Sequence, residues 1–149
     1  MLELNLPKFD IKIRKNGSKM QVLDMLRRKY VALTPEEFVR QHFVNYLTAH
    51  RNYPPTLVAN EVELSVGNKH LRCDSVVYDN NLSPRVIVEY KAPTVAITQQ
   101  VLNQISAYNL LLHVDYLMIS NGLEHFCCRM DYDNNTYVFL YHIPAYEEL

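Results

Sequence analysis

Three strand-like segments follow one another between residues 57 and 91, with only short turns between them. They cover residues 57–66, 70–78 and 84–91, and the turn-forming residues Gly67-Asn68 and Asp79-Asn80-Asn81 separate them. Strands joined by such short turns pair antiparallel, because parallel pairing needs a crossover of about a dozen or more residues. We therefore expect a largely antiparallel sheet.

A helix is predicted on each side of this stretch. Thr34-Pro35-Glu36-Glu37 is typical of a helix start, with Thr34 as the cap, Pro35 at the first helical position and Glu37 closing a capping box. This helix should run to about residue 50. Thr98 can cap a second helix that runs to about residue 113, with an apolar stripe formed by Val101, Ile105, Tyr108 and Leu112.

The remaining strands are predicted at the two ends of the chain. Period-two alternation over residues 9–14, the hairpin signal Asn16-Gly17 and a return strand over residues 20–23 indicate an N-terminal hairpin. Residues 116–120, 124–130 and 136–142 form three further strands after the second helix. Because helices must cover a largely antiparallel sheet, the fold class is α/β with a mixed, α+β arrangement.

Length and composition narrow the classes of protein. A chain of 149 residues fits one domain over residues 1–149. No apolar run approaches the ~20 residues of a membrane span, and the N-terminus has no signal-peptide core. The three cysteines, Cys73, Cys127 and the adjacent Cys128, suit neither a disulfide framework nor a zinc site. We therefore expect a cytoplasmic protein with no membrane contact.

Charge is distributed unevenly along the chain. Residues 1–52 contain ten Lys or Arg and five Asp or Glu, whereas residues 53–149 contain five and eleven. This pattern is compatible with a nucleic-acid surface beside a carboxylate-rich site, and equally with ordinary surface variation. Arg27, Arg28 and Lys29 are candidate phosphate contacts, and a solvated face is the alternative. No glycine-rich loop for nucleotide phosphates is present, so the chain contains no ATP-driven motor of its own.

The third strand of the central stretch ends in charged residues that point to chemistry. Successive side chains of a strand alternate between its faces, so Glu89 and Lys91 project to the same side. If the preceding strand pairs with this one, Asp74 can lie beside Glu89. Adjacent carboxylates need a cation, and oxygen ligands select Mg²⁺ or Mn²⁺. The alternative is a surface ion pair between Glu89 and Lys91, with Asp74 starting a turn.

The second helix adds two polar candidates. Gln104 and Tyr108 are four residues apart, so they share one helix face, and we expect this face to turn toward the sheet. A glutamine on the core side needs a partner, which a water, a metal ligand or a DNA phosphate would supply. The alternative is a core tyrosine and a glutamine that caps a strand edge.

The ordered set Asp74, Glu89-Tyr90-Lys91 and Gln104-Ile-Ser-Ala-Tyr108, with fourteen residues between Asp74 and Glu89, resembles the PD-(D/E)XK nuclease superfamily. With residues 33–41, Arg72-x-Asp74 and Ser120-Asn121-Gly122, it is similar to the N-terminal nuclease domain of type I restriction enzyme R subunits, in its small stand-alone form. The likeness covers about residues 5–143.

This resemblance implies a restriction-endonuclease-like core ordered helix–strand–strand–strand–helix–strand, with an N-terminal hairpin and extra C-terminal strands. It implies metal-dependent hydrolysis of phosphodiester bonds in DNA. Asp74 and Glu89 would bind Mg²⁺ or Mn²⁺, Lys91 would assist the attacking water, and Gln104 and Tyr108 would support the site or the DNA. The side chain of Tyr90 should point away from the site.

Two further acids are candidate metal ligands. Glu61 lies opposite the apolar face of the first central strand, so it joins the site if its own face is the site face and is solvated otherwise. Glu36 is expected on the inward face of the first helix, whereas Glu37 is assigned to the cap. DNA is the expected partner, with a helicase, translocase or methyltransferase subunit as a second. The rival hypothesis is a catalytically idle DNA-binding or accessory domain that retains the fold.

Overall fold

The computed structural model describes residues 2–149, which form two α-helices, two short 3₁₀ turns and nine strands in two sheets. The helices are α1 (Pro35–His50) and α2 (Gln99–Leu112), and the 3₁₀ turns cover Pro55–Leu57 and Tyr146–Glu148. The strands are β1 (Ile13–Asn16), β2 (Lys19–Asp24), β3 (Lys29–Ala32), β4 (Val58–Val66), β5 (Lys69–Tyr78), β6 (Pro84–Tyr90), β7 (Tyr116–Ser120), β8 (His125–Asp131) and β9 (Thr136–Leu140).

The larger sheet has six strands in the order β4-β5-β6-β7-β8-β9. Every neighbouring pair is antiparallel except β6 and β7, which run parallel because α2 forms the crossover between them. The antiparallel run predicted over residues 57–91 is confirmed. So is the order helix–strand–strand–strand–helix–strand, which α1, β4, β5, β6, α2 and β7 provide.

The two helices cover opposite faces of this sheet. On one face, Phe43 and Leu47 of α1 pack in a buried cluster with Val88 and Tyr90 of β6. On the other face a second buried cluster forms, and its members include Leu102 and Ile105 of α2, Val76 of β5, Ile87 of β6 and Leu117 of β7. Strand β6 is therefore covered on both sides, which explains its nearly continuous apolar sequence.

The smaller sheet contains β1, β2 and β3, whereas the sequence predicted only a hairpin. Strand β1 begins at Ile13, so most of the alternating segment over residues 9–14 lies outside the ladder. Strand β3 was missed because it is only four residues long and follows Arg28, whose backbone is in the left-handed region. Its pairing with β2, including Val22 opposite Val31, completes the sheet.

The predicted cap of α1 is confirmed, but the side chains of the two acidic residues that follow it, Glu36 and Glu37, are not placed as predicted. Thr34 accepts a hydrogen bond of 3.1 Å from the main-chain nitrogen of Glu37. The Glu37 side chain is buried and bonds Arg40 instead of closing a capping box, while Glu36 is exposed. The expectation that Glu36 faces inward is therefore wrong, since consecutive helical residues are about 100° apart and Glu37 takes the inward position.

The inward face of α2 also differs from the predicted stripe. Its buried residues are Leu102, Ile105, Ser106 and Asn109, and Tyr108 is half exposed. Asn109 is buried because its amide donates a 2.9 Å hydrogen bond to the carbonyl of Tyr116 at the start of β7. Within residues 2–149, neither helix has the length and apolar character that crossing a membrane requires.

Candidate active site

Asp74 and Glu89 occupy neighbouring positions on the two paired strands β5 and β6. The ladder pairs Ser75 with Val88, so the next positions along it are those of Asp74 and Glu89. One carboxylate oxygen of Asp74 accepts a 2.9 Å hydrogen bond from the main-chain nitrogen of Tyr90. Burial raises the pKa of Glu89, and the charge of the adjacent Asp74 raises this pKa further. The two carboxyl groups are therefore close enough for the charge of Asp74 to act on Glu89.

Lys91 follows Glu89 and lies with it on the border between two cavities. The larger, a cleft of 710 Å³, lies between the β5–β6 face and α2, and the smaller, of 310 Å³, lies next to the start of α1. Glu89 and Lys91 line both. The main-chain nitrogen of Lys91 donates a 2.9 Å hydrogen bond to the carbonyl of Ser120, which fixes the end of β6 against β7. The charge of Lys91 lowers the pKa of Glu89, against the larger effects of burial and Asp74.

Gln104 and Tyr108 line the larger cleft together with Glu89 and Lys91. The structure thus brings together four of the residues that the sequence singled out. Both helix residues are exposed, however, so the expectation that Gln104 lies on the core side is wrong. The buried apolar residues Ile87 and Ile105 also line the cleft.

Glu61 lines the smaller cavity with Asp74 and Glu89, but its carboxylate is bound by two arginines. One oxygen accepts a 2.8 Å hydrogen bond from Arg40 and the other accepts a 2.9 Å hydrogen bond from Arg72. Burial alone would raise the pKa of Glu61, but the hydrogen bonds from Arg40 and Arg72 outweigh burial and lower it. Glu61 is therefore on the site face and is not simply solvated.

The backbone of Glu61 is unusual for a residue inside a strand. Its φ of 57° lies in the left-handed region, which costs an L-residue roughly 1–2 kcal/mol. The β4–β5 ladder pairs Asn60 with Ser75 and Val62 with Cys73, and the pair between them, Glu61 with Asp74, is missing. Such strain persists only where the surroundings enforce it, and here the two arginines hold the side chain.

Arg40 connects three parts of this site and was not selected from the sequence. Its guanidinium is 6% exposed and binds Glu37, Glu61 and, at 3.0 Å, the main-chain carbonyl of Asp74. A usable signal was present, because Arg40 lies beside Val39 on the apolar face of α1. A charged residue on such a face requires a buried partner. The sequence did not indicate that the partners come from β4 and β5.

The remaining candidates lie around the smaller cavity and beyond it. Glu36 is exposed and lines this cavity next to Thr34. Arg27 binds the Asp24 carboxylate at 2.6 Å, so it has a structural partner, whereas Arg28 and Lys29 are exposed.

A chain of buried hydrogen bonds joins the smaller sheet to the strand that carries Glu89. Asn60 donates a 3.0 Å bond to Asp24 of β2, and Ser75 donates a 2.6 Å bond to Asn60. Tyr90 then donates a 2.9 Å bond from its hydroxyl to Ser75. The Tyr90 side chain thus points to the α1 side of the sheet, away from Lys91, as the sequence predicted. We call this series Asp24–Asn60–Ser75–Tyr90 the buried polar chain.

The donor set at Asp74 and Glu89 fits a hard divalent cation. Residues 2–149 contain no group of three or more His, Cys, Asp or Glu side chains placed to hold a metal ion by themselves. Mg²⁺ commonly binds through only one or two carboxylates and keeps several waters or phosphate oxygens. Two adjacent carboxylates, of which Asp74 raises the pKa of Glu89, match this description, because a cation would relieve their repulsion.

Comparisons with known proteins identify relatives of this chain. Residues 35–144 match the family described as the N-terminus of the type I restriction enzyme R protein. The fold matches a fragment assigned as the HsdR subunit of a type I restriction enzyme from Vibrio vulnificus YJ016, with a TM-score of 0.53 and 19% identity. This match covers 78% of the present chain and 24% of the other, so the chain spans about a quarter of that structure. No curated protein matches significantly.

Proposed function

The chain belongs to the family of type I restriction enzyme R protein N-termini, and from this premise we propose that it is a metal-dependent DNA endonuclease module. The observation that supports this most is the position of Asp74 and Glu89 on paired strands, with Lys91 beside them at the border of an open cleft. Glu89 and Lys91 are the two ends of an E-x-K sequence, and Asp74 supplies the second carboxylate.

Asp74 and Glu89 would hold Mg²⁺ or Mn²⁺ in this proposal. A divalent cation there supplies a more acidic bound water and neutralises charge that develops on a phosphate. Asp74 keeps one oxygen for this task, because its other oxygen accepts from the main chain of Tyr90. Lys91 lines both cavities with Glu89, and from this position its ammonium would orient the attacking water or contact the scissile phosphate.

The larger cleft would receive the DNA backbone. Arg72, Lys91 and Gln104 provide hydrogen-bond donors on its rim, and the half-exposed ring of Tyr108 provides an aromatic surface. Because the family is that of type I restriction enzyme R protein N-termini, we propose that the chain works with other restriction subunits. The proposed partners are a helicase or translocase subunit and a methyltransferase subunit.

The proposal is tested by plasmid nicking in Mg²⁺ or Mn²⁺, beside calorimetric titration of Mn²⁺, for the wild type, Lys91→Ala and Glu89→Ala. Lys91→Ala should lose cleavage by about 10²–10³-fold while it still binds Mn²⁺, because an electrostatic contact in the transition state is removed and both carboxylates remain. Glu89→Ala should lose Mn²⁺ binding and cleavage together.

Two results would reject this assignment. If Lys91→Ala cleaves as fast as the wild type, the activity does not come from this site. If the wild type binds DNA tightly without metal and never cleaves, alone or with its partner subunits, the chain is an accessory domain that retains the nuclease fold. Lys69→Ala provides a matched control, since Lys69 is an exposed lysine of β5 outside the cleft.

A further inference from the structure

We propose that Glu61 is a conditional metal ligand, which Arg72 withholds from the site until a DNA phosphate binds Arg72. This inference rests on the proposed function and concerns the regulation of the same site. Glu61, Asp74 and Glu89 line one cavity, so a third carboxylate already lies within the pocket of the first two. Within residues 2–149 no three such side chains are placed to hold an ion together, and both oxygens of Glu61 are bound by arginines.

The two arginines that hold Glu61 have very different surroundings. The Arg40 side chain is 6% exposed and is also bound by Glu37 and by the carbonyl of Asp74, so its bond to Glu61 is the better protected of the two. The Arg72 side chain is 77% exposed and has Glu61 as its ion-pair partner. Exposed ion pairs are weak, so this bond is the one that a stronger anion can replace.

A DNA phosphate is such an anion, and the cleft leads it to Arg72. Arg72 lines the larger cleft with Lys91, Gln104 and Tyr108, where the proposed substrate lies. Guanidinium groups bind phosphates through paired, charge-assisted hydrogen bonds. When Arg72 turns to a phosphate, one oxygen of Glu61 loses its partner, and the carboxylate, still bound by Arg40, can turn toward Asp74 and Glu89. The Glu61 side chain lines the same cavity as Asp74 and Glu89.

The consequence is that DNA and metal should strengthen each other's binding. Binding of either ligand favours the state in which Glu61 is released, and such coupling is reciprocal by thermodynamic necessity, with typical factors of about 5–150. Without DNA the site would have two carboxylates and bind the ion weakly, and with DNA it would have three.

Calorimetric titration of Mn²⁺ tests this coupling with and without a DNA duplex, in a Lys91→Ala background that prevents cleavage. Arg72→Gln should bind Mn²⁺ about tenfold more tightly than the background protein when no DNA is present, because Glu61 is released. Glu61→Gln should remove the tightening by DNA, so that its Mn²⁺ affinity is the same with and without the duplex. The double variant Arg72→Gln/Glu61→Gln should behave as Glu61→Gln.

Three results would overturn the inference. A gain in Arg72→Gln that persists in the double variant would be a general charge effect that does not involve Glu61. A similar gain in Mn²⁺ affinity in Arg85→Gln, which removes a partly exposed arginine elsewhere, would also indicate a general charge effect. Unchanged Mn²⁺ affinity in all variants would reject the coupling alone, whereas no Mn²⁺ binding in any protein, with or without DNA, would reject the proposed metal site as well.

Discussion

The main-chain nitrogen of Tyr90 donates a 2.9 Å hydrogen bond to the carboxylate of Asp74. The strand that carries Glu89 therefore also orients the acid on the neighbouring strand. An oxygen acceptor at position 74 is needed for this bond, whereas a negative charge there is not. The structural role of Asp74 therefore depends on its oxygen, whereas its proposed role in metal binding depends on its charge.

Asp74→Asn should abolish the rise in melting temperature that millimolar Mn²⁺ produces in the wild type. The Asn oxygen can still accept from Tyr90, and loss of the charge relieves its repulsion with Glu89, so the metal-free protein should melt no lower than the wild type. Differential scanning calorimetry of both proteins, with and without Mn²⁺, measures this. A wild type that shows no Mn²⁺ effect even with DNA present would contradict the metal site.

Gln104→Ala should reduce cleavage without reducing stability. Gln104 is exposed on the rim of the cleft, and substitutions at such positions usually change the free energy of unfolding by less than about 0.5 kcal/mol. Gln100→Ala is the matched control, because Gln100 is an exposed glutamine on the same helix outside the cleft. Nicking rates and urea unfolding of both variants are the measurements. Equal nicking rates for the two variants would remove Gln104 from the proposed DNA contacts.

Arg40→Gln should lower the free energy of unfolding by about 3–5 kcal/mol. Removing one partner of a buried ion pair leaves the other charge uncompensated, and here Glu37 and Glu61 would both be affected. Lys8→Gln breaks the exposed pair with Glu3, 3.4 Å apart, and should change stability by at most about 1 kcal/mol. Urea unfolding gives both values. Similar losses for the two variants would mean that Arg40 does not hold the site together.

The stability of the protein should fall in acid partly through Asp24. Burial alone would raise the pKa of Asp24, but hydrogen bonds from Arg27 and Asn60 outweigh burial and lower it below the usual 3.8. A carboxyl with a lowered pKa in the folded state stabilises fully above its unfolded pKa and loses this contribution as the pH falls through the folded value. Asp24→Asn should therefore be destabilised at pH 7 and approach the wild type below about pH 4. Urea unfolding of both proteins across this range is the measurement, and a constant difference would contradict the assignment.

Local signals explain the parts of the fold that the sequence predicted. Short turns determine antiparallel pairing, and the Thr34 cap with Pro35 determines the start of α1, so both were predicted from a few neighbouring residues. The inward face of α2 was not, because it depends on a bond between Asn109 and Tyr116 of another element. Apolar spacing suggested Tyr108 for that face, and the tertiary contact favoured Asn109.

The candidate site divides in the same way. Strand alternation and hairpin register were sufficient to place Asp74, Glu89 and Lys91 together. The hydrogen bonds that hold Glu61 could not be predicted in this way. They require a left-handed backbone at Glu61 inside β4 and an arginine from α1. No local sequence pattern predicts a left-handed φ at a glutamate. Contacts between segments that are distant in the sequence depend on the assembled fold.

The buried polar chain decides where this unit must begin when it is moved into another protein. The family match starts at residue 35, yet Asn60 relies on Asp24, which lies before that boundary. A graft that begins at residue 35 lacks Asp24, so the Asn60 amide loses its hydrogen-bond acceptor. Asn60 is connected to the hydroxyl of Tyr90 through Ser75, so this loss lies two hydrogen bonds from Tyr90. The smallest segment that can be grafted therefore includes β2. Domain swaps between relatives should exchange the smaller sheet and the strand with the E-x-K sequence together, as one unit.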